Sequence, residues 1–349
     1  MKRYKKIIKV FIFLFAVVCV SVAWGQGTNE LTIMCHDSFN ISKGVVAVFE
    51  KPHNITLRFL KAGDAGAALN KAILSKRNPL ADVFYGVDNT FLSRALEAGI
   101  FEQYASPLLS DIREELKLDP SNRLLAVDFG DVCLNYDKKW FADKGLAPPK
   151  TLEDLLKPEY KGLTVVQNPA TSSPGLAFLL ATISHFSENG YLDYWKKLKA
   201  NDVLVTNGWK DAYWGQFSAA SKGNRPIVVS YATSPPAEVH FSEKPLTEAP
   251  TAAVMGKGTS FRQIEFVGIL KGTKNITMAQ KVIDFMLDKT FQEDIPLQMF
   301  VFPANKSAAL PEVFIKHSRI ADYVNTVTPD QIVNNRDKWI NEWRKLVLR

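Results

Sequence analysis

Short apolar runs alternate with amphipathic stretches along most of this chain, and that alternation restricts it to folds in which neighbouring parallel strands are joined by crossover helices. LTIMC (31–35) reads as a strand and Gly44 to Glu50 as helical. Ile55 to Leu60 is a second strand, followed by the turn KAGDAG and a helix carrying Ala67, Ala68, Leu69, Ala72 and Ile73 on one face. ADVFYGV and the helix from Thr90 to Ala98 complete a first series. GLTVVQN (162–168), TSSPGLAFLLATISHF, NDVLVTN, a segment with Trp214 and Phe217, and PIVVSYA form a second; IEFVGILKG and TMAQKVIDFMLD follow. Thr328, Pro329 and Gln331 mark the start of a last helix as N-cap, first-turn proline and capping-box partner. It ends with Trp339, Ile340, Trp343 and Leu346 on one packing face.

At 349 residues the chain exceeds one ordinary core. The expected architecture is α/β, with two lobes joined by a hinge around a cleft. Residues 26–130 begin lobe 1, 131–248 form lobe 2, and 249–349 return to lobe 1 and add the C-terminal helices. No Gly/Ser or Pro linker separates the lobes, so strand-like crossovers are expected near Asp128 to Tyr136 and near 245–265. Ligands of open α/β sheets collect at the carboxyl ends of strands. Two such edges facing each other make a clamp.

The net charge of +7 suggests nucleic acid until its location is considered. Five bases, Lys2, Arg3, Lys5, Lys6 and Lys9, precede an uncharged run from Val10 to Trp24, leaving 38 bases against 36 acids in the remainder. A nearly neutral body gives no basic footprint for nucleic acid. The basic start, the apolar run of about 15 residues and the small residues around Trp24 read as a secretory signal (1–25) cleaved near Gly25, too short for a span of about 20 residues. The mature chain is expected to be free of the membrane, with Cys35 and Cys133 as buried free thiols.

Catalytic motifs are missing. There is no G-x-S-x-G, HExxH, CxxC or G-x-G-x-x-G, and the five histidines lack metal-ligand spacing. No catalytic residue, metal or cofactor is expected. Binding chemistry is present instead. NPATSSPG ends a strand and opens a helix, so Ser172 and Ser173 can cap a helix N-terminus whose free N–H groups suit an anion. NGWKDAYW puts Trp209 just after a turn glycine, and SYATSP puts Tyr231, Ala232, Thr233 and Ser234 just beyond a strand. Aromatic faces in such loops can hold a flat or cationic ring. KAGDAG and YGVDN supply Asp64, Gly66, Asp88 and Asn89 from the first lobe.

Taken with LTIMCHDSF, DFGDVCLNYDKKWF, LEDLLKPEYKG, IPLQMFVFP and TPDQIVNNRDKWINEW, these motifs resemble the thiamine-binding periplasmic proteins of ABC importers, within the ferric-iron-type branch of two-lobed solute-binding proteins. The resemblance implies a type II periplasmic-binding-protein fold and a monomer in the periplasm. It implies thiamine, or its mono- or diphosphate, as ligand, with an ABC permease and its ATPase subunit as partners. It sets Ala65 and Gly66 at the ligand from one lobe, Ser172 and Ser173 at its hydroxyl or phosphate end, and Trp209 and residues 231–234 along the cleft. Three ring positions depart from the best-known members: His36 and Ala237 replace tyrosines and Phe300 replaces a tryptophan. His36 and Phe300 can still stack. The alternatives are the same fold with ferric iron or another phosphorylated or anionic small molecule, and a secreted hydrolase with Cys133 as nucleophile.

Overall fold

The computed structural model describes residues 30–321 and 327–349, so the expected export signal lies outside the described residues. Strands β1 (Glu30–Cys35), β2 (Thr56–Lys61) and β3 (Val83–Asp88) run parallel in the order β2-β1-β3, joined by helices α1 (Lys43–His53) and α2 (Ala65–Leu74). A short helix α3 (Leu92–Glu97) leaves β3, and the chain then enters the thirteen-residue strand β4 (Leu125–Asp137). After α4 (Lys138–Lys144), the second series follows. It consists of β5 (Thr164–Gln167), α5 (Ser173–Ala200), β6 (Leu204–Thr206), α6 (Trp209–Asp211), β7 (Ile227–Tyr231), α7 (Ser234–Phe241) and β8 (Thr251–Val254). The chain then returns through β9 (Phe261–Ile269), α8 (Ile276–Leu287), α9 (Lys289–Met299), β10 (Phe302–Pro303), α10 (Glu312–His317) and α11 (Pro329–Val347).

The strand order β2-β1-β3-β9-β4-β7-β5-β6 explains the lobes. On one side β9 inserts antiparallel between β3 and the first half of β4; on the other, β7 heads the parallel trio β7-β5-β6 and pairs antiparallel with the second half of β4. Val132 pairs with Phe261 of β9 at one edge and with Tyr231 of β7 at the other. The first half of β4 therefore lies between β9 and β10 and the second between β8 and β7. β4 is paired along both edges, and all but one of its residues are buried, Asp128, Asp131 and Asn135 among them. The two lobes share this strand directly.

Helix ends follow local chemistry. Ser42 caps α1, and Asn54 ends it in the left-handed region. The capping box at Thr328 and Gln331 forms as the spacing predicts. Trp339 and Trp343 of α11 are fully buried, and Trp343 meets Trp195 of α5 edge-on at 5.4 Å. Helix α5 itself is two helices broken at Ser187, whose φ of 64° and ψ of 170° are not helical. Cys35 and Cys133 are buried free thiols, and burial raises the Cys35 thiol to about 12.

Candidate ligand-binding cleft

The loops after β1, β2, β5, β6 and β7 converge with the turn after α9 on a cavity of about 300 Å³ between the lobes. Of the residues singled out in the sequence, His36, Asp64, Ala65, Ser173, Trp209, Tyr231 and Phe300 line it. Their signal was polar or aromatic character at a strand end. The cavity wall also holds Trp214, named in the sequence only as part of an amphipathic segment, and Lys61, Gln263, Glu265, Gln298 and Met299, which sequence reasoning did not single out. Gln263 and Glu265 interrupt the apolar run of β9, and that interruption is the signal that could have found them.

One wall is aromatic. Trp209 Nε1 donates to Ser230 Oγ at 2.9 Å, and its ring stacks on Tyr213 at 4.9 Å and 19°. Behind it, the Tyr213 hydroxyl donates to Glu238, which also accepts from the Thr251 hydroxyl at 2.5 Å. Burial pushes the Glu238 carboxyl up to about 7. The Tyr231 hydroxyl donates to Gln263 Oε1 at 3.2 Å. Phe300 occupies the left-handed region at φ 60° and packs on Phe241.

Beyond Tyr231 the strand-end loop serves as scaffold and does not line the cavity. The Ala232 N–H donates to the Asp131 carbonyl at 2.9 Å, the Thr233 hydroxyl donates to the Phe300 carbonyl, and Ser234 Oγ lies 2.8 Å from Ser230 Oγ. These contacts fix Phe300 and Trp209 in place. Ala237 is buried in α7 and also lies outside the lining.

The floor is polar and charged. His36 Nε2 lies 3.4 Å from Glu265 Oε1, an ion-pair distance with both side chains buried. The ring sits directly over Gly86, where an added Cβ would approach His36 Cδ2 to 2.4 Å. Glu265 stands in register with Asp88 of β3 on one side and Asp128 of β4 on the other. Three carboxyl groups on adjacent strands cannot all ionise in a buried site. Burial, and then the Glu265 charge, hold Asp128 well above its usual value, whereas Glu265 is held low by the imidazolium of His36 against its own burial. The Tyr85 hydroxyl lies 2.5 Å from Asp128 and 3.1 Å from Glu265. Burial alone would favour neutral His36, but the Glu265 carboxylate outweighs it and raises the imidazole above its ordinary value.

Hydrogen bonds cross the cleft. Asp64 caps α2 through the Ala65 N–H and also accepts the Trp209 N–H, each at 3.0 Å. Burial raises the Asp64 carboxyl, opposed by the Ser172 hydroxyl and these two N–H groups. The Gly66 N–H donates to the Thr171 carbonyl at 3.1 Å, so Gly66 is a contact between lobes and not a wall of the cavity. The lobes are closed.

Three sequence expectations need correction in detail. Ser172 occupies the N-cap position of α5, but neither its hydroxyl nor that of Ser173 caps the helix; the Ser172 hydroxyl faces the Asp64 carboxyl and that of Ser173 the Asp88 carboxyl. Ser172 lies behind the lining and Ser173 in it. Asn89 lies outside the cavity altogether. Its Nδ2 donates to the Arg262 carbonyl and its Oδ1 accepts from the Ile264 N–H, both at 3.0 Å, because the end of β3 is paired with β9.

A family model for bacterial extracellular solute-binding proteins matches residues 78–320. The chain belongs to this family. The thiamine-binding periplasmic protein of Salmonella typhimurium is 30% identical to this solute-binding protein over 340 residues, 95% of this chain and 97% of the relative. That of Brucella abortus is 31% identical over 342 residues and covers 95% of each chain. The solved structure of a periplasmic thiamin binding protein matches with a TM-score of 0.80 at 27% identity, over 92% of this chain and 96% of its own. The solute-binding protein therefore has the type II architecture, two α/β lobes around a ligand cleft. It binds a small molecule and delivers it to a membrane permease; it is not an enzyme. No helix among the described residues is long and apolar enough to cross a membrane.

Proposed function

We propose that the protein captures thiamine, or thiamine mono- or diphosphate, in the periplasm and hands it to an ABC permease driven by its ATPase subunit. The observation that carries this reading is the cavity between the lobes, where Trp209, Tyr231 and Phe300 offer ring faces while Asp37, Asp64 and Glu265 offer carboxylates. That combination suits a flat organic cation. Ser173, in the cavity lining at the N-terminus of α5, suits the hydroxyl or phosphate end of the same ligand.

Closure supplies the mechanism. Each lobe contributes half of the wall, so the full set of contacts exists only in the closed form, and a ligand shifts the population by its differential affinity. Lobe 1 comprises residues 26–130 and 249–349 and lobe 2 residues 131–248. The exported chain is cleaved near Gly25 and works as a monomer. Ferric iron is disfavoured at Tyr213, whose hydroxyl is committed to Glu238 behind the wall.

Isothermal titration of the mature protein tests the reading. Saturable heat with thiamine and none with ferric citrate or sugar phosphates supports it; the reverse pattern overturns it.

A further inference from the structure

We propose that seating an organic cation in the cavity expels the proton of His36, so that cargo capture releases a proton to solvent. The proposal rests on the reading of the cavity as a site for such a cation, and it begins from an ion pair built into the wall. His36 and Glu265 face each other at 3.4 Å inside the cavity that Trp209, Tyr231 and Phe300 complete. The imidazole cannot retreat. Its ring rests on the backbone of Gly86, with no room even for a Cβ, and Tyr85 stands 5.6 Å away on the same strand.

The charged and titratable groups around the ring come from four elements. Glu265 faces it from β9, Tyr85 from β3 with Asp128 of β4 behind it, Lys61 from the end of β2 and Asp64 from the turn into α2; Asp37 is next in the chain. Glu265 is the group that keeps His36 charged against the pull of burial. A cation entering a space of about 300 Å³ draws on that same carboxylate and repels the imidazolium. Lys61 and Lys210 are the other basic side chains in the described wall, and His36 is the one imidazole among them. His36 is therefore the group that yields: an imidazole N–H bond breaks, its electron pair stays on the ring nitrogen, and the proton passes to buffer. The ligand then replaces the imidazolium as counter-charge to Glu265.

Titration of the mature protein with thiamine at one pH in two buffers of different ionisation enthalpy tests this. The buffer-dependent heat should correspond to proton release, up to one per ligand, and affinity should rise with pH by as much as about tenfold per unit across the His36 transition. In His36→Gln the buffer dependence should vanish and the affinity should become flat with pH. Proton release that persists in His36→Gln assigns the proton to another group, such as Asp64, and overturns the proposal. Because that variant can fail to fold, the His36 imidazole resonances of the unmodified protein give a second readout: a change from charged to neutral on adding thiamine supports the proposal, and an imidazole that stays charged overturns it. Binding without proton release overturns this inference alone, whereas no binding of thiamine overturns the cargo reading along with it.

Discussion

Gly66→Ala isolates closure from ligand contact. Gly66 does not line the cavity, yet a Cβ added there would lie 2.9 Å from Phe91 Cζ and 3.1 Å from both the carbonyl carbon and oxygen of Thr171. Ordinary carbon contacts fall near 3.5–4.0 Å, so several tenths of an ångström must be found. Phe91 belongs to the same lobe as Gly66, and its strain is present whether the lobes are open or closed. Thr171 belongs to the other lobe, and it can be relieved only by parting them and stretching the 3.1 Å bond from the Gly66 N–H. Overpacking of this kind costs about 1–3 kcal/mol, here charged to the closed form, which corresponds to a loss of affinity of about 5- to 150-fold. Alanine also favours helix over glycine by up to about 1 kcal/mol, but that gain acts on α2 in both forms and cancels from the binding constant. Isothermal titration should therefore show weaker thiamine binding, and solution scattering should show less compaction at a given ligand concentration. Affinity within twofold of the unmodified protein, with full compaction, would refute the claim that Gly66 is a closure contact.

Trp209→Ala removes a ring stacked on Tyr213 and should weaken thiamine binding at least about tenfold by titration, since ring stacking adds about 0.5–1.5 kcal/mol beyond buried area; unchanged affinity would remove the aromatic wall from the argument. Ser173→Ala should lower affinity for thiamine phosphates by about tenfold while affecting thiamine less, because a charged acceptor gains more from a hydroxyl at a helix N-terminus; equal losses would contradict the assigned orientation. Glu238 is held protonated to about pH 7 in the folded chain but ionises near its ordinary value when unfolded. Its contribution is complete below that ordinary value and fades as pH rises through about 7. Glu238→Gln should therefore melt progressively higher relative to the unmodified protein between pH 4.5 and 7, by on the order of 3 kcal/mol at the upper end; parallel melting curves would refute a buried neutral Glu238.

Local chemistry was legible in the sequence where it depends on residues a few positions apart. The parallel strands, the Thr328 capping box and the polar strand-end loops carrying His36, Asp64 and Trp209 all have signals within a window of ten residues. What stayed hidden depends on register between distant strands. Glu265 reads as one polar residue in an apolar run until β9 is seen to lie between β3 and β4, which aligns it with Asp88 and Asp128 and brings it to His36. Asn89 lies outside the cavity for the same reason, since the backbone of β9 takes both ends of its amide. The serines at the start of α5 read from sequence as helix caps, but the helix enters its first turn without using either hydroxyl. Ser187 gives no warning of the break in α5, because serine seldom adopts its φ of 64°.

The continuity of β4 separates two properties that are often tuned together. Any flexing between the halves must twist a strand anchored by neighbours along both edges, with Val132 as the point where those neighbours change. A substitution there should alter how readily the molecule shuts on every cargo alike, whereas a substitution at His36 or Trp209 should alter which cargo is preferred. Strength of grip and choice of what is gripped are thus written in different residues, and a biosensor derived from this scaffold could have its working range reset without retraining its selectivity.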